Sequence, residues 1–347
     1  MIRLSSCSVF SSYIDHIMHK TGVDQSRRKA LQQLAISSLI VGFLPVLPAW
    51  ADGQPIGNSA QLIENGQPIE NNDKPIRVIT LFQGATDTAV ALGIKPLAVV
   101  ESWREKPVYR YLRSELQDVV QIGLETQPSL EDIALLEPDL IIASRFRHQA
   151  IASLLEQLAP VVMLDQVYHF RETLLQMGRA CQREQQAQWL MACWQQRVRG
   201  LKQQIQQVFA DRPPTVSVLD IRADHIRSYL PNSFAGSVLT ELGFIWTTAS
   251  QQAAQQPKTV SIRISNKESL PVVNAELFFV FLRANKPSVQ QHYHSLQQHP
   301  LWQQMQAPRN QRIRQVDGVA WSLSGGILGA NQILDDIQQM LLEEAAA

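Results

Sequence analysis

Cysteine is scarce in this chain, and what there is lies scattered. Three occur among 347 residues, Cys7, Cys181 and Cys193, and no C-x-x-C pair or Cys/His cluster is present to build an iron–sulfur or zinc site. Cys181 and Cys193 stand twelve positions apart in helix-like sequence. Along one continuous helix that is about 18 Å, too far for a disulfide. Two free buried thiols are expected, although a break near Gln182–Gln185 would bring them closer. Net charge is equally lacking, because 31 basic residues balance 31 acidic ones. Nucleic-acid affinity needs a basic surface, so no nucleic-acid partner is expected. No Gly-rich dinucleotide turn and no G-x-S-x-G elbow occurs, which removes the most legible grounds for an enzyme. The apolar stretch Leu34–Leu47 falls short of the roughly 20 residues of a membrane span, contains Pro45 and is followed by Pro48.

What is present begins with an apolar content of 45%, enough for a proper core, in a chain long enough for two ordinary domains. At the N-terminus, Arg27-Arg28-Lys29 precedes Leu34–Leu47, and Ala49-Trp50-Ala51 follows as an A-x-A cleavage site. A basic region, a moderate apolar region and a small-residue exit form a secretory signal. The paired arginines resemble a twin-arginine signal, although Ala30 stands where Phe is usual. Residues 1–51 therefore read as a signal peptide cleaved near Ala51, with Met1 and Met18 both candidate starts. No Cys follows the apolar segment, which argues against a lipid anchor. Residues 52–74, rich in Gln, Asn, Gly and Pro, read as a flexible mature N-terminus.

From Pro75 short apolar runs alternate with helical patterns. Val78–Leu81, Leu97–Val100 and Leu140–Ala143 show no polar alternation, as strands buried on both faces do. Helical periodicity marks Thr86–Leu92 and Leu130–Leu136. A first α/β lobe is expected over 75–168, a helical linker over 169–212 ended by Pro213-Pro214, and a second α/β lobe over 213–347. In the second lobe, Thr215–Ile221, Ile226–Leu230, Val260–Ile264, Leu277–Leu282 and Arg312–Val316 read as apolar strand segments. Helices are expected at Gly236–Leu242, near Glu268–Val273 and at Gly329–Leu342. Open α/β sheets bind ligands beyond the carboxyl ends of their strands. There the sequence offers Trp103-Arg104, Arg145-Phe146-Arg147-His148, Arg222 and Arg283.

The segments RVITL with ALGIKPLAVVESW, QPSLEDIALLEPDLIIASRFRH, YLPNSFAGSVLTELGF, HPLWQQM and GVAWSLSGGILGANQILDDI occur in that order. Together they resemble the periplasmic substrate-binding proteins of ABC importers for iron–siderophore complexes and cobalamin. The resemblance covers Pro75–Leu342 and implies two α/β lobes bridged by one long α-helix, with the ligand cleft between them. Such a stiff link implies small lobe closure. Within that group, ESWREKPVYRYL and SRFRH look most like members that bind ferric citrate or citrate-built siderophores. Their carboxylates suit Arg, whose fork matches a carboxylate through two charge-assisted bonds. The ligand-binding candidates are Arg104, Arg145, Arg147, Arg222 and Arg283, with Trp103, Tyr229 and Trp321 as an aromatic wall.

The resemblance also implies one acidic permease contact per lobe, at Glu131 and at Glu268, where the segment carries one extra residue. The partners it implies are a ferric siderophore and the permease of an ABC importer in the inner membrane, with the protein itself a monomer. No intrinsic cofactor and no protein metal site are expected, since the chelator would supply the iron ligands. His292-x-His294 has the spacing of a metal pair but lies in Gln-rich sequence without an acidic partner. Haem, cobalamin or a hydroxamate siderophore on the same fold is the alternative, and haem and cobalamin would favour a more apolar cleft. An exported cofactor-dependent enzyme is a further alternative without a supporting motif.

Overall fold

Strands covered on both faces need unbroken apolar runs, and the first lobe is built from them. The computed structural model describes residues 76–210 and 212–346. The expected signal peptide and mature N-terminal segment lie outside the described residues. Strands β1 (Val78–Thr80), β2 (Ala98–Glu101), β3 (Val120–Leu124), β4 (Gln127–Pro128), β5 (Leu140–Ser144) and β6 (Val161–Leu164) form one sheet in the order β4-β3-β2-β1-β5-β6. All neighbours run parallel except the β3–β4 hairpin. Register pairs Ile79 with Ala98 on one side and with Ile141 on the other. One face packs Ile79, Leu81, Val100, Ile122 and Ala143 against Ile133 and Leu155 of two covering helices.

The second sheet has the order β10-β8-β7-β11-β12. Its strands are β7 (Thr215–Ile221), β8 (Ile226–Tyr229), β9 (Ile245–Trp246, paired to the start of β7), β10 (Ser261–Ile264), β11 (Leu277–Leu282) and β12 (Ile313–Gln315). β7, β11 and β12 are parallel, while β8 runs antiparallel to both β7 and β10. Leu219, Ile221, Phe278 and Val280 share a core with Leu270, Leu296 and Trp302.

Six helices place the site: α1 (Gln83–Ala91), α2 (Leu130–Leu136), α3 (Phe170–Ala180), α4 (Glu184–Val208), α5 (Phe234–Leu242) and α6 (Ile327–Ala346). α2 begins where the Ser129 hydroxyl accepts the Asp132 amide, and Ser233 does the same for Gly236 at α5. Each such cap is worth about 1 kcal/mol. The helical linker breaks between α3 and α4, where Gln182 turns into the left-handed region at φ 56°. α4 alone has 25 residues, a rod of about 37 Å. The chain passes from the first sheet to the second once, through α3 and α4.

The lobes also meet away from that passage. α6, at the far end of the chain, packs against α1 and α3 as well as α4 and α5. Its N-terminus is capped by Asp87 of α1, whose two oxygens accept the amides of Leu328 (2.8 Å) and Gly329 (2.9 Å). A Cβ on Gly84 would stand 2.5 Å from the Gly325 carbonyl, so only glycine permits this approach of the two lobes. Phe170 of α3 meets Trp194 of α4 and Phe234 of α5 edge-on, and Arg171 pairs with Glu241 of α5. The segment Lys267–Val273 is a 3-10 helix with Pro271 inside, and Val319–Trp321 falls in a short helix, Gly318–Ser322. Among the described residues no helix is long and apolar enough to cross a membrane.

Candidate functional site

The carboxyl ends of the parallel strands in the two lobes face each other. Arg104, just beyond β2, donates from Nη1 to the carbonyl of Leu282 at the end of β11, 3.5 Å away. The Tyr109 hydroxyl donates to the Leu323 carbonyl at 3.3 Å. These bonds bring the polar strand ends of one sheet to those of the other.

On the first lobe Trp103, Arg147 and Phe146 form one unit. The Arg147 guanidinium lies over the Trp103 ring at 5.5 Å and over the Phe146 ring at 4.7 Å. Trp103 remains 43% exposed. Both Trp103 and Arg147 are held by Glu125, in the hairpin between β3 and β4, which accepts Trp103 Nε1–H and Arg147 Nε–H, each at 3.1 Å. Glu125 is 3% exposed. Burial pushes its carboxyl up, while Arg147 and its hydrogen-bond donors pull it down. Neither Nη atom of Arg147 has a protein acceptor among the described residues. His148 is buried beneath this unit. Its Nδ1 accepts the Ser144 amide and its Nε2–H donates to the Glu125 carbonyl. Burial lowers its basicity, as the neutral ring in this network requires.

Arg145, two residues away, is turned aside. It donates from Nε to Asp165 (3.1 Å), just past β6, and from Nη1 to Gln149 (3.0 Å). On the second lobe Asp220, wholly buried in β7, accepts Arg222 Nε–H at 3.0 Å and Nη2–H at 2.9 Å. Arg283 Nη1 is 3.7 Å from the same carboxylate oxygen and 3.1 Å from the Ser322 hydroxyl. Ser322 also bonds the Tyr229 hydroxyl at 3.2 Å, and the Tyr229 ring stacks on Phe281. The structure thus joins Arg104, Trp103 and Arg147 on one side with Arg222, Arg283 and Tyr229 on the other.

Trp321, expected on the aromatic wall, is instead a core residue. It is 1% exposed, packs against Phe279 at 4.6 Å between ring centroids and donates to Asp336 at 2.7 Å. The Ser and Gly residues after it do mark a loop, but it is Ser322 that faces Tyr229 and Arg283. Glu131 and Glu268 are both exposed in the first turns of their helices. His292 donates to the Arg222 carbonyl and His294 contacts Gln298. Among the described residues no group of three or more His, Cys, Asp or Glu is gathered as a metal centre. Cys181 and Cys193 are both buried, and burial pushes the Cys181 thiol up to about 12.

Sequence reasoning missed Glu125 and Asp220. Asp220 left a signal, a lone charge inside the apolar run Val218–Ile221, because buried acids are rare unless paired. Glu125 left none, since an acid in a polar turn reads as surface.

Comparison with known proteins agrees with this architecture. A family model described as periplasmic binding protein matches residues 78–320. An achromobactin-binding periplasmic protein of Dickeya dadantii (strain 3937) is 63% identical over 267 residues, covering 77% of this chain and 86% of that protein. The Fe(3+) dicitrate-binding periplasmic protein FecB of Escherichia coli (strain K12) is 28% identical over 270 residues, covering 76% of this chain and 83% of that one. The crystal structure of Staphylococcus aureus SirA complexed with staphyloferrin B matches with a TM-score of 0.74 at 34% identity, covering 79% of this chain and 95% of that one.

Proposed function

Because the chain belongs to the periplasmic binding protein family, we propose that it captures an anionic, citrate-type ferric siderophore between its lobes and delivers it to an ABC importer for iron uptake. The observation that carries this reading is the convergence of Arg104, Arg147, Arg222 and Arg283 at facing strand ends, beside the exposed ring of Trp103. Carboxylates of a ferric chelate would meet guanidinium forks there, in a cleft that screens charge less than open water does. Citrate-type chelation fits the relatives named for achromobactin and for ferric dicitrate, and ferric achromobactin is the leading ligand. The chelator supplies the iron ligands, so the protein's task is to recognise the outer carboxylates and polar groups. It is a carrier and not an enzyme, as its family is.

The remaining features complete the reading. Arg27-Arg28 and the A-x-A site at Ala49–Ala51 support twin-arginine export with cleavage near Ala51. Exposed Glu131 on one lobe and Glu268 on the other support docking to basic groups of the permease, by a monomer that presents both lobes at once. The test is tryptophan fluorescence titration of the mature protein with ferric achromobactin, ferric citrate, a neutral ferric trihydroxamate and haem. Tightest binding to one of the first two is expected. Tightest binding to haem, or no binding to any iron chelate, would overturn the function, while preference for the trihydroxamate would overturn the role given to the arginines.

A further inference from the structure

Three donors from three distant parts of the first lobe converge on one buried carboxylate. Glu125 accepts the Gln83 amide at the start of α1 (3.2 Å), Trp103 Nε1–H beyond β2 (3.1 Å) and Arg147 Nε–H beyond β5 (3.1 Å). Its own backbone carbonyl holds His148, whose other nitrogen is fixed by the Ser144 amide. The ends of β1, β2, β3 and β5 are thereby tied to a single residue. Of the atoms so held, Arg147 Nε and the indole N–H point back into the lobe. The Nη groups of Arg147 and the exposed indole face are left for the cleft.

An acid within a cleft that is to receive an anion is electrostatically wrong by itself. Coulomb repulsion alone would favour an amide at this position. What the carboxylate supplies is direction. A long Arg side chain loses rotamer freedom when it is fixed, and a group oriented in advance spares the ligand that cost. We propose that Glu125 is a positioning residue for ligand recognition: it presets Arg147 and Trp103 as one rigid plate, and the affinity gained by presetting them exceeds the repulsion its charge adds. The inference rests on the reading of this cleft as the binding site for an anionic ferric chelate. It assigns a role to a residue that need not touch the ligand.

The sign of one substitution separates positioning from plain electrostatics. Glu125→Gln is nearly isosteric, keeps an acceptor for the Gln83 amide and the indole, and removes a negative charge. Its amide nitrogen cannot accept Arg147 Nε–H. Positioning requires that affinity for ferric citrate or ferric achromobactin fall about ten- to hundredfold, the scale of a lost charge-assisted hydrogen bond, although the cleft has become more positive. It also requires non-additivity. In Arg147→Ala most of the effect of Glu125→Gln should vanish, so the double variant should bind about as weakly as Arg147→Ala alone.

A second readout needs no ligand. Acrylamide quenching of Trp103, measured as the difference from a Trp103→Phe background, should rise in Glu125→Gln as Arg147, released from its acceptor, uncovers the indole face it lies over. Unchanged thermal midpoints keep the comparison among folded proteins. Unchanged or tighter binding by Glu125→Gln, or full additivity with Arg147→Ala, would overturn the proposal. If wild-type protein binds no ferric chelate, the function fails. In that case the quenching difference still decides whether Glu125 fixes the plate.

Discussion

Replacing Asp87 by Asn tests whether burial or hydrogen bonding governs the charge at the joint between the lobes. Asp87 is wholly buried. Three donors hold it: the amides of Leu328 and Gly329 at the start of α6 and the Tyr111 hydroxyl at 2.7 Å. Burial pushes the carboxyl up to about 6 from the ordinary 3.8, and the three donors only partly offset it. A difference of about two pH units at 1.36 kcal/mol each comes to about 3 kcal/mol. A carboxyl raised in the folded state stabilises it fully below the unfolded-state value, and that stability is lost as pH rises through the folded-state value. Wild type should therefore gain roughly 2–3 kcal/mol over Asp87→Asn when pH falls from 7.5 to 4. The variant also turns an amide NH2 toward one of the donors, at a cost of about 1–3 kcal/mol. That cost does not change with pH and shifts the difference curve without bending it. Urea unfolding at a series of pH values, with the m-value compared between proteins, measures the curve. Carbon-13 titration of the Asp87 carboxyl measures its cause. A carboxyl that titrates below about 4, with a flat difference curve, would mean that the helix amides and Tyr111 outweigh burial, and would refute the reasoning.

The other predictions concern the cleft, the core and the partners. Arg147→Ala should weaken binding of ferric citrate or achromobactin about ten- to hundredfold, and Arg145→Ala should do less because Asp165 and Gln149 already hold that side chain aside; the reverse order in fluorescence titrations would place Arg145 in the cleft. Trp321→Ala should cost about 3–5 kcal/mol of stability in chemical denaturation, as a core truncation does, whereas lost ligand affinity at unchanged stability would return Trp321 to the cleft wall. Glu131→Ala should leave ligand affinity unchanged and slow uptake in vesicles carrying the importer, and equal uptake would remove Glu131 from the docking surface. Replacing Arg27 and Arg28 by Lys should retain uncleaved precursor in the cytoplasm, and normal export of that variant would exclude the twin-arginine route.

Much of the fold was legible because it follows from local pattern. Thr215–Ile221 and Leu277–Leu282 emerge as strands with the bounds their apolar runs predict, and Leu130–Leu136 emerges as the helix its spacing predicts. Strand ends were legible too, and Trp103, Arg104, Arg147, Arg222 and Arg283 stand just beyond them. The hairpin of β3 and β4 was not anticipated. β3 is an exposed-edged strand with a mixed pattern, and its register with β2 is irregular between Val99 and Glu101.

What the sequence determined by itself is the set of short-range choices: apolar runs that must be covered on both faces, caps that start α2 and α5, and polar residues that can stand only at strand ends. Tertiary structure decided the direction of each side chain once it was there. Arg145 and Arg147 lie in one short turn, yet Asp165 holds the first and Glu125 fixes the second beside Trp103. Glu125 takes its donors from Gln83, Trp103 and Arg147, 42, 22 and 22 residues away, so no local pattern contains it. Asp87 meets its helix amides across more than 240 residues. Trp321 carries loop residues on one side and Phe279 on the other, and only the packing of the second sheet turns its ring inward. Periodicity reports which face of an element is apolar. A buried charge is settled by partners that the fold alone brings within 3 Å or so.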